Sequence, residues 1–148
     1  MNNKKKLSEK NIIEKLQTYI CYRTHSEYEL ECKLKKHFNK QDVMKALCLA
    51  KKQKWLPEPE EIAEQLINEL HRKNRGWLLI QAALKRKHLP STQRQEALEE
   101  KKCRWWMEKK FKHIQNPPQN IIQKMHRFLS YRGFEQSIIK KVIYDIHR

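Results

Sequence analysis

The sequence predicts an all-α protein built from three tandem three-helix repeats, forming an elongated, curved, solenoid-like molecule. Three observations lead there. Apolar residues recur at three- and four-residue steps along almost the whole chain, and no segment keeps a period of two. Residues suited to starting and stopping helices stand between the periodic segments. The chain also aligns with itself in three copies.

Residues 1–11 read as a basic tail, with Lys4, Lys5 and Lys6 at its start. The first helix carries Ile12, Ile13, Leu16, Tyr19 and Ile20 on one face. Ser26 followed by Glu29 is a capping box, in which hydroxyl and carboxylate each satisfy an amide left open at a helix start. It opens the helix of Leu30, Leu34 and Phe38. Asn39 with Asp42 does similar duty ahead of Val43. Pro57 and Pro59 then break the chain after Trp55-Leu56 and introduce Glu60-Glu61, acids favoured in a first turn. Ile62, Ala63, Leu66, Ile67 and Leu70 mark the next helix, and Gly76 reads as its left-handed stop. Ile80, Ala83, Leu84 and Leu89 follow. Asn116 is expected to cap a helix entered through Pro117-Pro118, where a missing N–H costs nothing. That helix carries Met125, Phe128 and Leu129 and stops at Gly133. Ile138, Ile139, Val142, Ile143 and Ile146 form the last one.

The copies superpose position by position. Leu34, Leu84 and Leu129 correspond, each with an apolar residue four positions earlier: Leu30, Ile80 and Met125. Leu16, Leu66 and Phe111 correspond further upstream, as do Ile12, Ile62 and Met107. Phe38, Leu89 and Phe134 close the middle helices. Ala46-Leu47, Ala97-Leu98 and Val142-Ile143 mark the third helix of each copy. The expected units are 12–56, 57–104 and 105–148. Each is too small to stand alone and must lean on a neighbour.

Charge narrows the function. The 148 residues include 33 Lys and Arg against 17 Asp and Glu, a formal +16. Residues 1–100 hold 21 bases and 14 acids, whereas 101–148 hold 12 bases and 3 acids, so the excess per residue more than doubles at the end. Such a surface attracts phosphate backbones or an acidic protein groove. The densest run, Lys101 to His113, interleaves Trp105, Trp106 and Phe111 with bases. Trp105 there can stack on a nucleobase. The competing reading places Trp106 or Met107 and Phe111 in the core, with the lysines as a solvated face. Candidate partner-contacting cations are Lys85, Arg86, Lys87, Arg104, Lys109, Lys110, Lys112, Arg127, Lys140 and Lys141. Arg127 lies two before core Leu129 and so faces a partner, whereas Arg132 at a helix end is placed to reach terminal carbonyls and cover Leu129.

Other chemistry is thinly supported. Only two residues are Gly, which excludes the GxGxxG turn, the Walker loop and the nucleophile elbow. His25 precedes Ser26, but the serine is better explained as a cap, and no enzymatic activity is expected. Cys21, Cys32, Cys48 and Cys103 form no CxxC pair, so reduced, half-buried thiols are expected rather than a metal site or disulfides. No cofactor is implied. No apolar stretch is long enough to span a bilayer, and no apolar segment follows the initial lysines as in a signal peptide, so a cytoplasmic monomer away from membranes is expected.

Two segments carry a family resemblance. Arg23-Thr24-His25-Ser26-Glu27-Tyr28-Glu29-Leu30-Glu31-Cys32-Lys33-Leu34 resembles the R-x-x-S-E-x-E-L-x-x-K-L opening of the RecX regulatory proteins. Arg127-Phe128-Leu129-Ser130-Tyr131-Arg132-Gly133-Phe134 resembles that family's R-F-L-x-x-R-G-[FY] signature. Between them, Trp55-Leu56 and Arg72-Lys73-Asn74-Arg75-Gly76 stand where the family's middle repeat has an aromatic-Leu turn and an R-x-x-[KR]-G stretch. The chain departs from the family at Pro57–Ala63, where Asp-Asp and Arg-Phe-Ala are usual, and at Gly76-Trp77 in place of Gly-Pro. The resemblance implies a regulator in DNA repair, homologous recombination and the SOS response. It implies binding in the groove of the RecA–DNA filament, with restraint of ATP hydrolysis, strand exchange and filament extension. The alternative from charge alone is a basic helical module that binds DNA or RNA directly, without RecA.

Overall fold

Eight helices and no strands make up residues 2–146, the residues described by this computed structural model. The side chains of 2–7 and 146, and with them the expected roles of Lys4, Lys5, Lys6 and Ile146, lie outside the described residues. The helices are α1 (Asn2–Tyr22), α2 (Glu27–Leu34), α3 (Lys40–Lys52), α4 (Pro59–Arg72), α5 (Trp77–Arg86), α6 (Glu96–Phe111), α7 (Gln119–Tyr131) and α8 (Gln136–Ile146). The segment expected as a tail is helical from Asn2 onward, since nothing between Asn2 and Ile12 breaks a helix.

The chain divides into two compact units: Met1–Glu64 with Lys87–Pro90, and Gln65–Arg86 with Ser91–Arg148. In the first, α1, α2 and α3 pack on one another around Ile12, Leu16, Leu30, Leu34, Val43, Leu47 and Ala50. Leu16, Leu30 and Leu34 are fully buried, each contributing about 1.5–3 kcal/mol relative to exposure. In the second, α6, α7 and α8 enclose Cys103, Met107, Phe111, Met125, Leu129, Phe134, Ile139 and Val142. The middle copy buries Ile80 and Leu84 at the positions matching Leu30 and Leu34.

Helix α6 and the start of α7 also differ from the sequence-based expectation. The third helix of the middle copy and the first of the last copy are one helix, α6, because the segment from Ala97 to Phe111 holds no glycine, proline or cap. Within it Ala97 is exposed and Leu98 half-buried, while Glu99, Lys102 and Cys103 are buried. Asn116 does not cap α7. It takes a left-handed φ of 48°, and Pro118, extended at φ −66° and ψ 162°, holds the cap position without a side-chain bond.

Caps explain the starts of α2 and α3 and the ends of α3, α4 and α7. Ser26 Oγ accepts the Glu29 N–H at 3.2 Å and Glu29 Oε2 accepts the Ser26 N–H at 3.0 Å, completing the capping box. Asn39 Oδ1 accepts the Asp42 N–H at 2.9 Å. Helices α3, α4 and α7 end in the same double bond pattern, in which the Trp55, Arg75 and Phe134 amides donate back to Ala50, Leu70 and Leu129. That turn needs a left-handed residue. Gly133 supplies it after α7 at φ 90°, but after α3 and α4 it falls to Lys54 at 54° and Asn74 at 52°. Gly76 is thus not the left-handed stop expected of it.

Candidate functional site

Gly76 serves a different purpose. Its backbone lies against that of Gly133 so closely that a Cβ on Gly76 would sit 2.3 Å from the Gly133 carbonyl carbon and oxygen. The Gly76 N–H donates to Arg132 O at 2.8 Å and the Leu78 N–H to Gly133 O at 3.0 Å. Amides left open at the start of α5 are thereby satisfied by carbonyls just past the end of α7, with complementary helix dipoles. The Trp77 N–H between them donates to Glu99 Oε2 at 2.8 Å.

Glu99 reaches that point at 2% exposure because Lys102, equally buried, pairs with it. Lys102 Nζ also donates to Arg75 O at 2.6 Å and lies 3.1 Å from His71 Nδ1. Burial, then the Lys102 charge, pushes the His71 pKa below its ordinary value, leaving a neutral ring to accept from the ammonium. A buried ion pair of this kind holds only when every polar atom finds a partner.

The rest of the second signature faces an aromatic ledge. Trp106 Nε1 donates to Asn74 O at 2.7 Å, which pins the indole beside the Arg75-Gly76 turn. Phe128 meets Trp106 and Phe111 edge-on at 5.7 and 5.6 Å between centroids. The Arg132 guanidinium lies 3.8 Å from the Trp106 centroid and 4.9 Å from that of Phe128. It therefore covers the rings rather than reaching for terminal carbonyls. Trp105 is 40% exposed, stands edge-on to Trp106 at 4.8 Å, and carries Lys109 Nζ 4.5 Å from its centroid. Met107 and Phe111 are core residues.

The first motif is a local clamp. Arg23 donates to Glu29 through both terminal nitrogens, at 3.0 and 3.4 Å, while Lys87 lies 3.3 Å from the same carboxylate. Burial alone would raise the Glu29 pKa, but the Arg23 and Ser26 hydrogen bonds and Lys87 outweigh it and bring it to about 2. His25 is 2% exposed, with Nδ1 2.8 Å from Arg23 O and Nε2 2.8 Å from Lys33 Nζ. Glu27 pairs with Lys51 at 2.6 Å.

The candidate cations separate accordingly. Lys87 is committed to Glu29, Arg104 pairs with Asp145 at 2.5 Å, and Lys141 pairs with Glu100. Lys85, Arg86, Lys109, Lys110, Lys112, Arg127 and Lys140 are exposed. Of these, Lys110 joins Lys109 at the aromatic ledge, 5.9 Å from the Phe128 centroid. Cys21, Cys32 and Cys48 are exposed free thiols rather than half-buried ones, and burial pushes the Cys103 thiol up to about 12. Among the described residues no group of three or more His, Cys, Asp or Glu is placed to hold a metal, and no helix is long and apolar enough to cross a membrane.

Residues 99–143 match the model of the RecX third three-helix domain. Over 132 residues the chain is 33% identical to Regulatory protein RecX of Legionella pneumophila, covering 84% of this chain and 87% of that one. This chain belongs to the RecX family. Regulatory protein RecX of Chlorobaculum tepidum is 32% identical over 127 residues, 82% of this chain and 79% of the relative. The RecX crystal structure from Lactobacillus salivarius shares the fold with a TM-score of 0.70 at 16% identity, over 93% of this chain and 96% of that one. A further RecX crystal structure gives 0.75 at 18% identity, over 91% and 72%. The two RecX signatures therefore include residues that build the fold: Arg23, Ser26 and Glu29 fix the start of α2, and Arg132-Gly133-Phe134 receive α5. The sequence offered Trp106 only as an alternative core residue to Met107 and did not single out Glu99 or Lys102, whose partners besides each other lie 22 to 31 positions away.

Proposed function

We propose that this RecX-family regulator acts on the RecA–DNA filament, binding in its groove and restraining ATP hydrolysis, strand exchange and extension. The observation that carries the reading is the similarity to proteins named Regulatory protein RecX over more than four fifths of the chain. The formal charge of +16 supports it, because a filament groove exposes acidic protein and bound DNA. The contacting surface is assigned to the exposed cations Lys85, Arg86, Lys109, Lys110, Lys112, Arg127 and Lys140. The protein works as a cytoplasmic monomer and a regulator rather than a catalyst, and the repeat units are 12–56, 57–104 and 105–148.

The test is RecA's DNA-dependent ATPase rate with and without this protein. A dose-dependent fall is expected. An unchanged rate at saturating protein overturns the reading and favours direct binding to nucleic acid, which the exposed Trp105 beside Lys109 also supports.

A further inference from the structure

The abutting glycines bring two arginines to one place. Arg75 precedes Gly76 and Arg132 precedes Gly133, and the Gly76 N–H bonds directly to Arg132 O. Arg132 is held flat by Trp106 and Phe128, and its Nε is buried without a hydrogen-bond partner. Among the described residues no carboxylate pairs with either guanidinium. Burial, and after it the charge of Arg75, lowers the Arg132 pKa. Two neighbouring cations without a counter-charge are unfavourable in the free protein and become favourable once an anion bridges them.

Trp106 connects this pair to Trp105. The exposed indole of Trp105 stands edge-on to Trp106, with Lys109 on its ring, and Lys110 lies at Phe128. We propose that Arg75 and Arg132 receive a phosphate of single-stranded nucleic acid while Trp105 stacks on an adjoining base, flanked by Lys109 and Lys110. A carboxylate of an acidic protein would satisfy the arginines but leave the indole without a role. A nucleotide uses both, and only an unpaired base offers its face. The inference rests on the proposed function for its biological setting, since it names the nucleic-acid contact of the regulator.

The test measures binding of the full chain to fluorescein-labelled oligo-dT in a salt series, with RecA absent. Arg75→Ala and Arg132→Gln should each reduce the slope of log K against log salt by about 0.7, the loss of one phosphate contact. Trp105→Ala should weaken oligo-dT binding about tenfold and leave binding to an abasic strand of equal length unchanged. Lys45→Ala, an exposed cation on α3 outside the assigned contact surface, should change affinity less than twofold. Should Arg132→Gln melt early, Arg75→Ala decides alone, because among the described residues its side chain has no hydrogen-bond or ion-pair partner. Equal losses for Arg75→Ala and Lys45→Ala overturn the proposal. So does unchanged oligo-dT binding by Arg75→Ala with loss of RecA inhibition, which would identify a protein carboxylate as the ligand. If oligo-dT binding shifts as stated while the wild-type protein leaves RecA's ATPase untouched, the site stands and the filament reading fails.

Discussion

Glu99 Oε2 accepts the backbone N–H of Trp77 at 2.8 Å, so a buried carboxylate on α6 holds the first turn of α5. Glu99→Leu should destabilise the protein by about 3–5 kcal/mol, because Lys102 is left charged and buried. Adding Lys102→Met should recover part of that loss. A double-mutant cycle in urea checks it; strictly additive losses would show that the two side chains do not act as a pair.

Gly76 has an ordinary backbone conformation, yet Gly76→Ala should cost about 2 kcal/mol or more, since its Cβ meets the backbone of Gly133. Gly133→Ala should cost at least as much, adding a left-handed penalty to collision with Leu79. Thermal melts of both variants decide. A neutral Gly76→Ala would remove the abutment on which the two-arginine site depends.

The Lys54 position offers a gain. A non-glycine residue at φ 54° carries about 1–2 kcal/mol of strain, against about 0.5–1 kcal/mol for the extra freedom glycine loses on folding. Lys54→Gly should therefore stabilise by roughly 0.5–1 kcal/mol in denaturant titrations. A destabilised variant would mean that the lysine side chain matters more than its backbone.

Acid should act through Glu29. Its folded pKa of about 2 lies below the ordinary 4.5, so its stabilisation is complete above about pH 4.5 and is lost as pH falls toward 2. The loss amounts to at most roughly 3 kcal/mol. Glu29→Gln should lower stability at neutral pH and flatten the stability curve in that window. A variant curve parallel to wild type would place the acid sensitivity elsewhere.

Arg127 and Arg132 should differ in their weight in stability. Arg127 is exposed on α7, and Arg127→Ala should change stability by less than about 0.5 kcal/mol while weakening inhibition of RecA. Arg132→Ala strips a cation from two rings and should cost about 1 kcal/mol. Melting curves and ATPase assays on both variants check the assignment. Early melting of Arg127→Ala with normal inhibition per folded molecule would reverse it.

What could be read from the sequence was local. Ser26 and Glu29 stand three apart, so their mutual cap is written in the spacing, as is Asn39 with Asp42. The matched leucines Leu34, Leu84 and Leu129 are all buried, because helical periodicity and burial have one cause. Ala97-Leu98 misled, since a hydrophobic pair marks the core only where the neighbouring charges lack partners. Glu99 and Lys102 find theirs in Trp77, Arg75 and His71, which no local pattern announces. Gly76 misled similarly: a glycine after a helix signals a left-handed turn, but here Asn74 makes the turn and Gly76 makes room for Gly133. Trp105 and Trp106 are neighbours of one type in one helix, and only the fold separates an exposed ring from a pinned one.

Helix α6 limits how such a chain can change its length. A solenoid whose units end in loops can gain or lose one by cutting at the loops. Here the proposed boundary between Arg104 and Trp105 falls inside a continuous helix, with Cys103 and Met107 in the same core. Removing the last unit would strip Glu99 and Lys102 of the turns that follow them, and removing the middle one would leave Trp106 without Asn74. The middle and last copies are spliced through one helix, and a recombination event that treated them as interchangeable bricks would break the core that this helix completes.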